Sequence, residues 1–416
     1  MVRVNVPQNP WFGDDWLALD FPEGWQVEVC HMAGENAPGL SEAAIQAAFQ
    51  NPIGTPRLSQ LAQGKREVVI LFDDMSRPTR AAELVPYILR ELKEAGIKDD
   101  NVRFIAAVGA HGTMRLSDFK KKLGADIPRR YRVYNHNPYE NCTPLGTTSR
   151  GTPVAVNSEV MSCDLKIAIG AIVPHVLADF GGGGKAILPG VSHVDTIWTN
   201  HNNLGPRPSK IPSQVTAAGT EQPEEHALRL DIEEAARMAG LDIIVNVVIK
   251  LRREAVGLFV GDLVAAHREG VKLAEQVYAT ALPDRPEVVV VNNYSKANEA
   301  SVGLGVGRQL MPAEGGDMVI IGNIPDGQTC HYLLRSFGKN MGGRLWRPIH
   351  KLSARIKRLI VLGPDIDLTG LDWLGPADKT IVAGSWAEVI KVLQSTHGNQ
   401  CRVAVIPDAT IQYFPG

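Results

Sequence analysis

The stretch from Ile172 to His201, IVPHVLADFGGGGKAILPGVSHVDTIWTNH, constrains this chain more than any other. The apolar, β-branched run that leads into it, CDLKIAIGAIVP, reads as a buried strand. That strand empties into four consecutive glycines, Gly181 to Gly184, and then Lys185. Glycine has no Cβ, so backbone there can approach a bound group closely and adopt positive φ. Four in a row weaken the chain locally, and a plain surface turn has little use for them. A phosphate-cradling P-loop fails on spacing: GxxxxGK[ST] needs glycine at position 179 and Ser or Thr at 186, where Asp179 and Ala186 stand. Three readings stay open on the residues alone. The first is a zinc site built from His175, His193 and His201, although their spacings of 18 and 8 are not those of a typical zinc motif. The second is a cofactor loop with Lys185 as a chemical handle and one histidine as a metal ligand. The third is a glycine-rich turn with incidental histidines.

The same construction, an apolar run that ends in polar residues, recurs along the chain. In REVVILFDDMSRPTR, Glu67 to Phe72 reads as a buried parallel strand and DDMSRPTR as the loop at its carboxyl end, ahead of a helix over Ala81–Ala95. Ligands of open α/β sheets bind outside the carboxyl ends of strands. Asp73, Asp74, Arg77 and Arg80 are therefore expected at a crevice, where an arginine can grip a carboxylate or phosphate bidentately. The competing reading is a capping aspartate with solvated arginines. NVRFIAAVGAHGTMR repeats the device and leaves His111 between glycines at a strand end, suited to acid–base work by its near-neutral pKa, or simply packed there. The β–α–β order implies right-handed crossovers and a parallel sheet.

Around these motifs, WQVEVC reads as part of an edge hairpin and Ser41–Gln50 as a helix. Residues 202–230 read as a loop, Asp231–Met238 as a helix, Leu241–Leu251 as a strand, and GDLVAAHREGVKLAEQVYATAL as a long amphipathic helix with His267 packed or at the surface. ALPDRPE, residues 281–287, is the best linker. A second α/β pattern then starts with EVVVVNNYSKANEA and includes a helix around His331–Phe337. Gly303, Gly305 and Gly307 lie inside a helix pattern and are a weak nucleotide signal. The expectation is an α/β fold of two domains with mainly parallel sheets and an active-site cleft between them. Residues 1–280 form the N-terminal catalytic domain. Residues 288–416 close over the cleft, with the last few returning to the first domain.

Composition bounds the class. The 416 residues are 44% hydrophobic and 21% charged, with a net charge of −2, so a full core is available and no basic field points to nucleic acid or a membrane surface. No run of 18 apolar residues suggests a membrane span. The start, MVRVNVPQNPWFGDDW, lacks a signal-peptide pattern. Five scattered cysteines form no CxxC pair, and a reducing cytoplasm is expected.

DDMSRPTR, AVGAHGTMR, PHVLADFGGGGKAILPG and the Asn200-His201 pair, in that order, resemble the nickel-dependent lactate racemase superfamily of 2-hydroxyacid racemases and epimerases. The resemblance runs over most of the chain, GLFVGDLVAAHREGV included. It implies a nickel-pincer nucleotide cofactor, supplied by cofactor-synthesis enzymes, with Lys185 joined to it as a thioamide and His201 as a nickel ligand. It assigns Gly182, Gly183, Gly184, Pro189 and Asp74 to the cofactor pocket, His111 and His175 to alternate acid–base roles, and Arg77 and Lys296 to the substrate carboxylate. The implied reaction inverts a small 2-hydroxyacid by hydride transfer through a 2-keto acid. One departure stands out. The family carries a lysine on the helix after the first strand of the second domain, whereas Asn298–Leu310 has none; Lys296 precedes it and Arg308 lies near its end. A larger or more polar acid than lactate is therefore equally open. Two alternatives from other classes are a zinc-dependent lyase or hydrolase using His111, His175 and His193, and a non-catalytic nucleotide-binding protein.

Overall fold

The computed structural model describes residues 2–204, 226–334, 336–338, 341–344, 352–366, 368–372 and 374–415. The chain divides into two compact units. A middle unit spans residues 37–204 and 226–276, and a terminal unit combines residues 1–36 with 277–416.

Twelve strands carry the two main sheets: β1 (Gln26–Val29), β2 (Val68–Asp73), β3 (Val102–Ala107), β4 (Arg132–Asn135), β5 (Leu165–Ala171), β6 (Ile243–Ile249), β7 (Ala255–Gly261), β8 (Val288–Asn292), β9 (Gly316–Ile321), β10 (Ile356–Leu362), β11 (Thr380–Ala383) and β12 (Arg402–Ile406). The middle unit's sheet runs β7-β6-β5-β2-β3-β4, and only the β6–β7 pair is antiparallel. The terminal unit's sheet runs β11-β10-β9-β8-β12-β1 and is parallel throughout. The central strands are continuous runs such as VVILFD, IIVNVVI and VVVVN because helices cover both faces of a parallel sheet. Among the described residues, no helix is long and apolar enough to cross a membrane.

Three elements depart from the sequence reading. WQVEVC does not form a hairpin. Its four-residue strand β1 adds in parallel to β12, so residues 1–36, grouped above with the first domain, pair with the terminal unit. A short QVEV strand with alternating exposure satisfies its backbone at the edge of a sheet that is already formed. Among the described residues of His331–Phe337 no helix forms: residues 332–334 make a turn, and the strand Ser336–Gly338 pairs with Met341–Gly342. The third departure is a helix that starts earlier than read, at Ala227, with His226 capping it by accepting from Arg229 N at 3.3 Å.

Candidate active site

In the middle unit, chain order proceeds outward from β2 to β3 and β4 on one side and from β5 to β6 on the other, so the topology switches between the neighbours β2 and β5. A crevice opens at the carboxyl ends of such strands because the crossover helices leave on opposite faces. DDMSRPTR follows β2, HGTMR follows β3, and the glycine stretch follows β5.

The loop after β2 is closed on itself. Asp73 accepts from the Thr79 hydroxyl and pairs with Lys122 Nζ at 2.6 Å. Asp74 is buried and accepts from Ser76 N at 2.9 Å and Ser76 Oγ at 2.5 Å through Oδ1. Its Oδ2 lies 2.5 Å from His111 Nδ1. Arg77 Nη1 donates to Ser76 Oγ at 2.8 Å and to the Ser76 carbonyl at 3.1 Å. Burial pushes the Asp74 carboxyl upward, but His111, Arg77 and the Ser76 hydroxyl together outweigh it and hold Asp74 well below the usual carboxylate range. A carboxylate facing Nδ1 fixes that nitrogen as the donor, which leaves the lone pair of the neutral ring on Nε2. This is the set-up of a general base whose imidazolium form has a counter-charge ready.

His175 lies on the short strand Pro174–His175, which pairs with Asp179–Phe180. Leu177 N donates to its Nδ1 at 3.2 Å, and its Nε2 lies 3.4 Å from Lys185 Nζ. Lys185 stands in a 3-10 turn, Gly183–Ala186. The glycines before it serve the protein's own packing. Gly182 and Gly183 have φ of +74° and +60°; a Cβ on the first would fall 2.5 Å from Asn246 Oδ1, and one on the second 3.0 Å from His267. Pro189 follows a cis peptide bond. The next residue, Gly190, accepts from Gly109 N at 2.8 Å, which docks the glycine stretch on the loop that carries His111.

His201 belongs to a π-helical turn, Asn200–Leu204, that continues the helix Val194–Thr199. Such turns widen a helix and re-aim side chains, often at functional sites. Its Nδ1 is shielded from solvent and makes no hydrogen bond. Burial and then the Lys185 charge, outweighing the nearby Ile197 carbonyl, push its pKa down to about 3, so the ring is neutral at physiological pH. A neutral imidazole with an unused buried nitrogen has the donor chemistry of a metal ligand.

Three comparisons bear on this arrangement. Residues 12–210 match the model of the lactate racemase N-terminal domain. The lactate racemase of Thermoanaerobacterium thermosaccharolyticum is 28% identical over 98% of both chains, and that of Lactiplantibacillus plantarum 27% identical over 75% of this chain and 76% of its own. The solved lactate racemase apoprotein from T. thermosaccharolyticum shares the fold with a TM-score of 0.70 at 23% identity, covering all of both chains. Residues 12–210 carry a lactate racemase N-terminal domain, and the chain is similar to lactate racemases over nearly its whole length. A Thermotoga maritima structure has the same fold, with a TM-score of 0.64 at 18% identity over 90% of this chain and 98% of that one.

The middle unit joins Asp74 to His111 and His175 to Lys185, and Lys185 bears on His201. His193 does other work. It caps the helix Val194–Thr199 by accepting from Asp195 N at 3.2 Å. Among the described residues, no three His, Cys, Asp or Glu side chains gather as a metal site. Lys296 is buried at the carboxyl end of β8 in the terminal unit.

Sequence reasoning missed the residues that hold the glycine stretch. Arg229, fully buried, donates to the carbonyls of Ala178 at 2.9 Å, Phe180, and Gly182 at 3.3 Å, and burial pushes its pKa down to about 10. His267 Nε2 lies 2.9 Å from the Gly181 carbonyl, and Asn246 Oδ1 accepts from Gly183 N at 2.7 Å. Asn246 alone left a signal, as the one polar residue of IIVNVVI. Asp231 accepts from Asn200 Nδ2 at 2.7 Å and Thr148 Oγ1 at 2.5 Å, anchoring the residue before His201.

Proposed function

We propose that this chain is a racemase or epimerase of a lactate-like 2-hydroxyacid and works with a nickel-pincer nucleotide. The carrying observation is the Asp74–His111 pair beside Arg77. The residues fit the cofactor: His201 offers a neutral imidazole with an unused buried nitrogen, and Lys185 is the long side chain of the glycine stretch. When bound, that nucleotide supplies a nickel-activated carbon able to accept and return hydride. Lys185 and His201 hold it, with Gly182, Gly183, Gly184, Pro189 and Asp74 lining its pocket. Arg77 grips the substrate carboxylate. His111 Nε2 takes the hydroxyl proton of one enantiomer, and Asp74 stabilises the imidazolium that results. His175 serves the opposite enantiomer, since its hydroxyl points the other way. Each histidine is base in one direction and acid in the other.

The test is to produce the chain with and without cofactor-synthesis enzymes, then assay nickel per chain and interconversion of the enantiomers of lactate and of larger 2-hydroxyacids by chiral chromatography. The proposal expects racemisation only by the nickel-loaded protein. Nickel loading without turnover of any of the acids would indicate a carrier. Activity that follows added zinc would indicate the hydrolytic alternative.

A further inference from the structure

The helix Leu116–Leu123 contains three consecutive lysines, Lys120, Lys121 and Lys122, and one of them points inward. Lys122 is 0% exposed. Its ammonium donates to the carbonyls of Asp74 and Arg77, each at 2.8 Å, and lies 2.6 Å from Asp73 Oδ1. An ammonium has three donors and no acceptor, and here three acceptors on one loop surround it. Two of them are the main-chain oxygens of the residue that orients His111 and of the arginine proposed to grip the carboxylate. Stability is a weak reason for such a residue, because a buried ion pair replaced by apolar groups of similar volume often leaves a fold as stable or more so. A short loop that has to present Asp74 and Arg77 at fixed positions has a stronger reason, since a misplacement of about 1 Å costs on the order of 10²-fold in rate.

We infer that Lys122 is a positioning residue: it clamps the backbone of residues 73–77 so that Asp74 meets His111 and Arg77 meets the substrate carboxylate. The catalytic consequence rests on the function proposed above; the clamp itself does not. Removing only the lysine strips the buried Asp73 of its counter-charge, so Lys122→Met mixes folding with positioning. The double variant Asp73→Asn/Lys122→Met removes both charges, keeps an oxygen for Thr79, and separates the two.

The experiment compares wild type, Lys122→Met and the double variant in thermal melts, in amide exchange of the peptide covering residues 73–80, and, on protein loaded with cofactor, in the KM for L-lactate. The double variant is expected to recover most of the melting temperature lost in Lys122→Met. Its 73–80 amides should still exchange about tenfold faster than wild type, and its KM should stay raised about tenfold at unchanged nickel per chain. Return of exchange and KM to wild-type values together with the melting temperature would overturn the inference and leave Lys122 a charge partner for Asp73. The exchange measurement decides the clamp even if wild type leaves L-lactate unchanged, an outcome that counts against lactate as the substrate alone.

Discussion

The molecule contains two mainly parallel sheets with the same kind of topological switch, and the carboxyl ends of their strands were put to different uses. In the middle unit, the β2/β5 switch collects Asp73, Asp74, Arg77, His111, His175 and Lys185. In the terminal unit, the β8/β12 switch surrounds Asp408 with amides and hydroxyls and buries Lys296 in the loop after β8. That carboxylate accepts from Ser295 N at 3.1 Å, Thr410 N at 3.2 Å and Thr410 Oγ1 at 2.6 Å, while Asn292 Nδ2 bridges the carbonyls of Pro7 at 2.9 Å and Pro407 at 2.7 Å. Both Asp74 and Asp408 are buried, yet their acidities move in opposite directions. Burial raises the Asp408 pKa and its neutral donors only partly offset this, whereas beside Asp74 the charges of His111 and Arg77 overcome burial. Sheet geometry supplies a crevice, and the loops decide whether it holds reactive charge.

The largest expected effect falls on the first crevice. His111→Ala should lower racemisation by roughly 10²–10⁴-fold, the usual worth of a positioned acid–base group, with nickel per chain unchanged. Near-normal rates in both directions would break the contrast between the two crevices. Asp74→Asn should cost roughly 10²-fold or more, because an amide can turn its NH₂ toward Nδ1 and favour the wrong tautomer.

A pH titration sharpens the comparison on the stability side. His136, buried just after β4, lies 2.9 Å from the Ser192 carbonyl through Nε2. Burial, and then the charge of His193, outweigh that carbonyl and push its pKa from 6.5 down to about 4. Its folded pKa is the depressed one, so between these values the unfolded chain binds the proton and the folded chain does not. Stability is therefore full above pH 6.5 and falls as pH drops to about 4, by on the order of 3 kcal/mol for this one group. Denaturant melts of wild type and His136→Gln across this window should show the slope flatten in the variant; an equal slope in both would contradict it.

The smallest effect is a sign. Asp74, with a depressed folded pKa, contributes stability above its unfolded pKa that is lost as pH falls through the folded value. Asp408, with a raised one, contributes stability that is full below its unfolded pKa and lost as pH rises through the folded value. At pH 7, Asp74→Asn should lower the melting temperature, whereas Asp408→Asn should leave it unchanged or raise it. Equal losses in both would show that the two crevices do not differ electrostatically.

Much of this was legible in the sequence, for physical reasons. Strands buried on both faces of a parallel sheet must be apolar throughout, so VVILFD and VVVVN announce themselves, and polar residues right after them mark strand ends. Tertiary partners were less visible. Arg229 and His267 act on backbone carbonyls far away in sequence, which leave no side-chain signature, and Lys122 cannot be told from Lys120 and Lys121 until packing selects it. The glycines invited a ligand-facing reading, although at Gly182 and Gly183 the space a Cβ would fill is held by Asn246 and His267. The edge strand β1 was too short and too evenly alternating to show which sheet it joins.

The most direct test of the proposed function is nickel per chain in Lys185→Ala, His201→Ala and Arg77→Ala, each produced beside the cofactor-synthesis enzymes and measured by elemental analysis on folded protein. The account expects nickel to be lost from the Lys185 and His201 variants and kept by the Arg77 variant, which should lose only its affinity for the hydroxyacid. Full nickel in both the Lys185 and His201 variants would contradict it, and the stretch from Ile172 to His201 would then need another role.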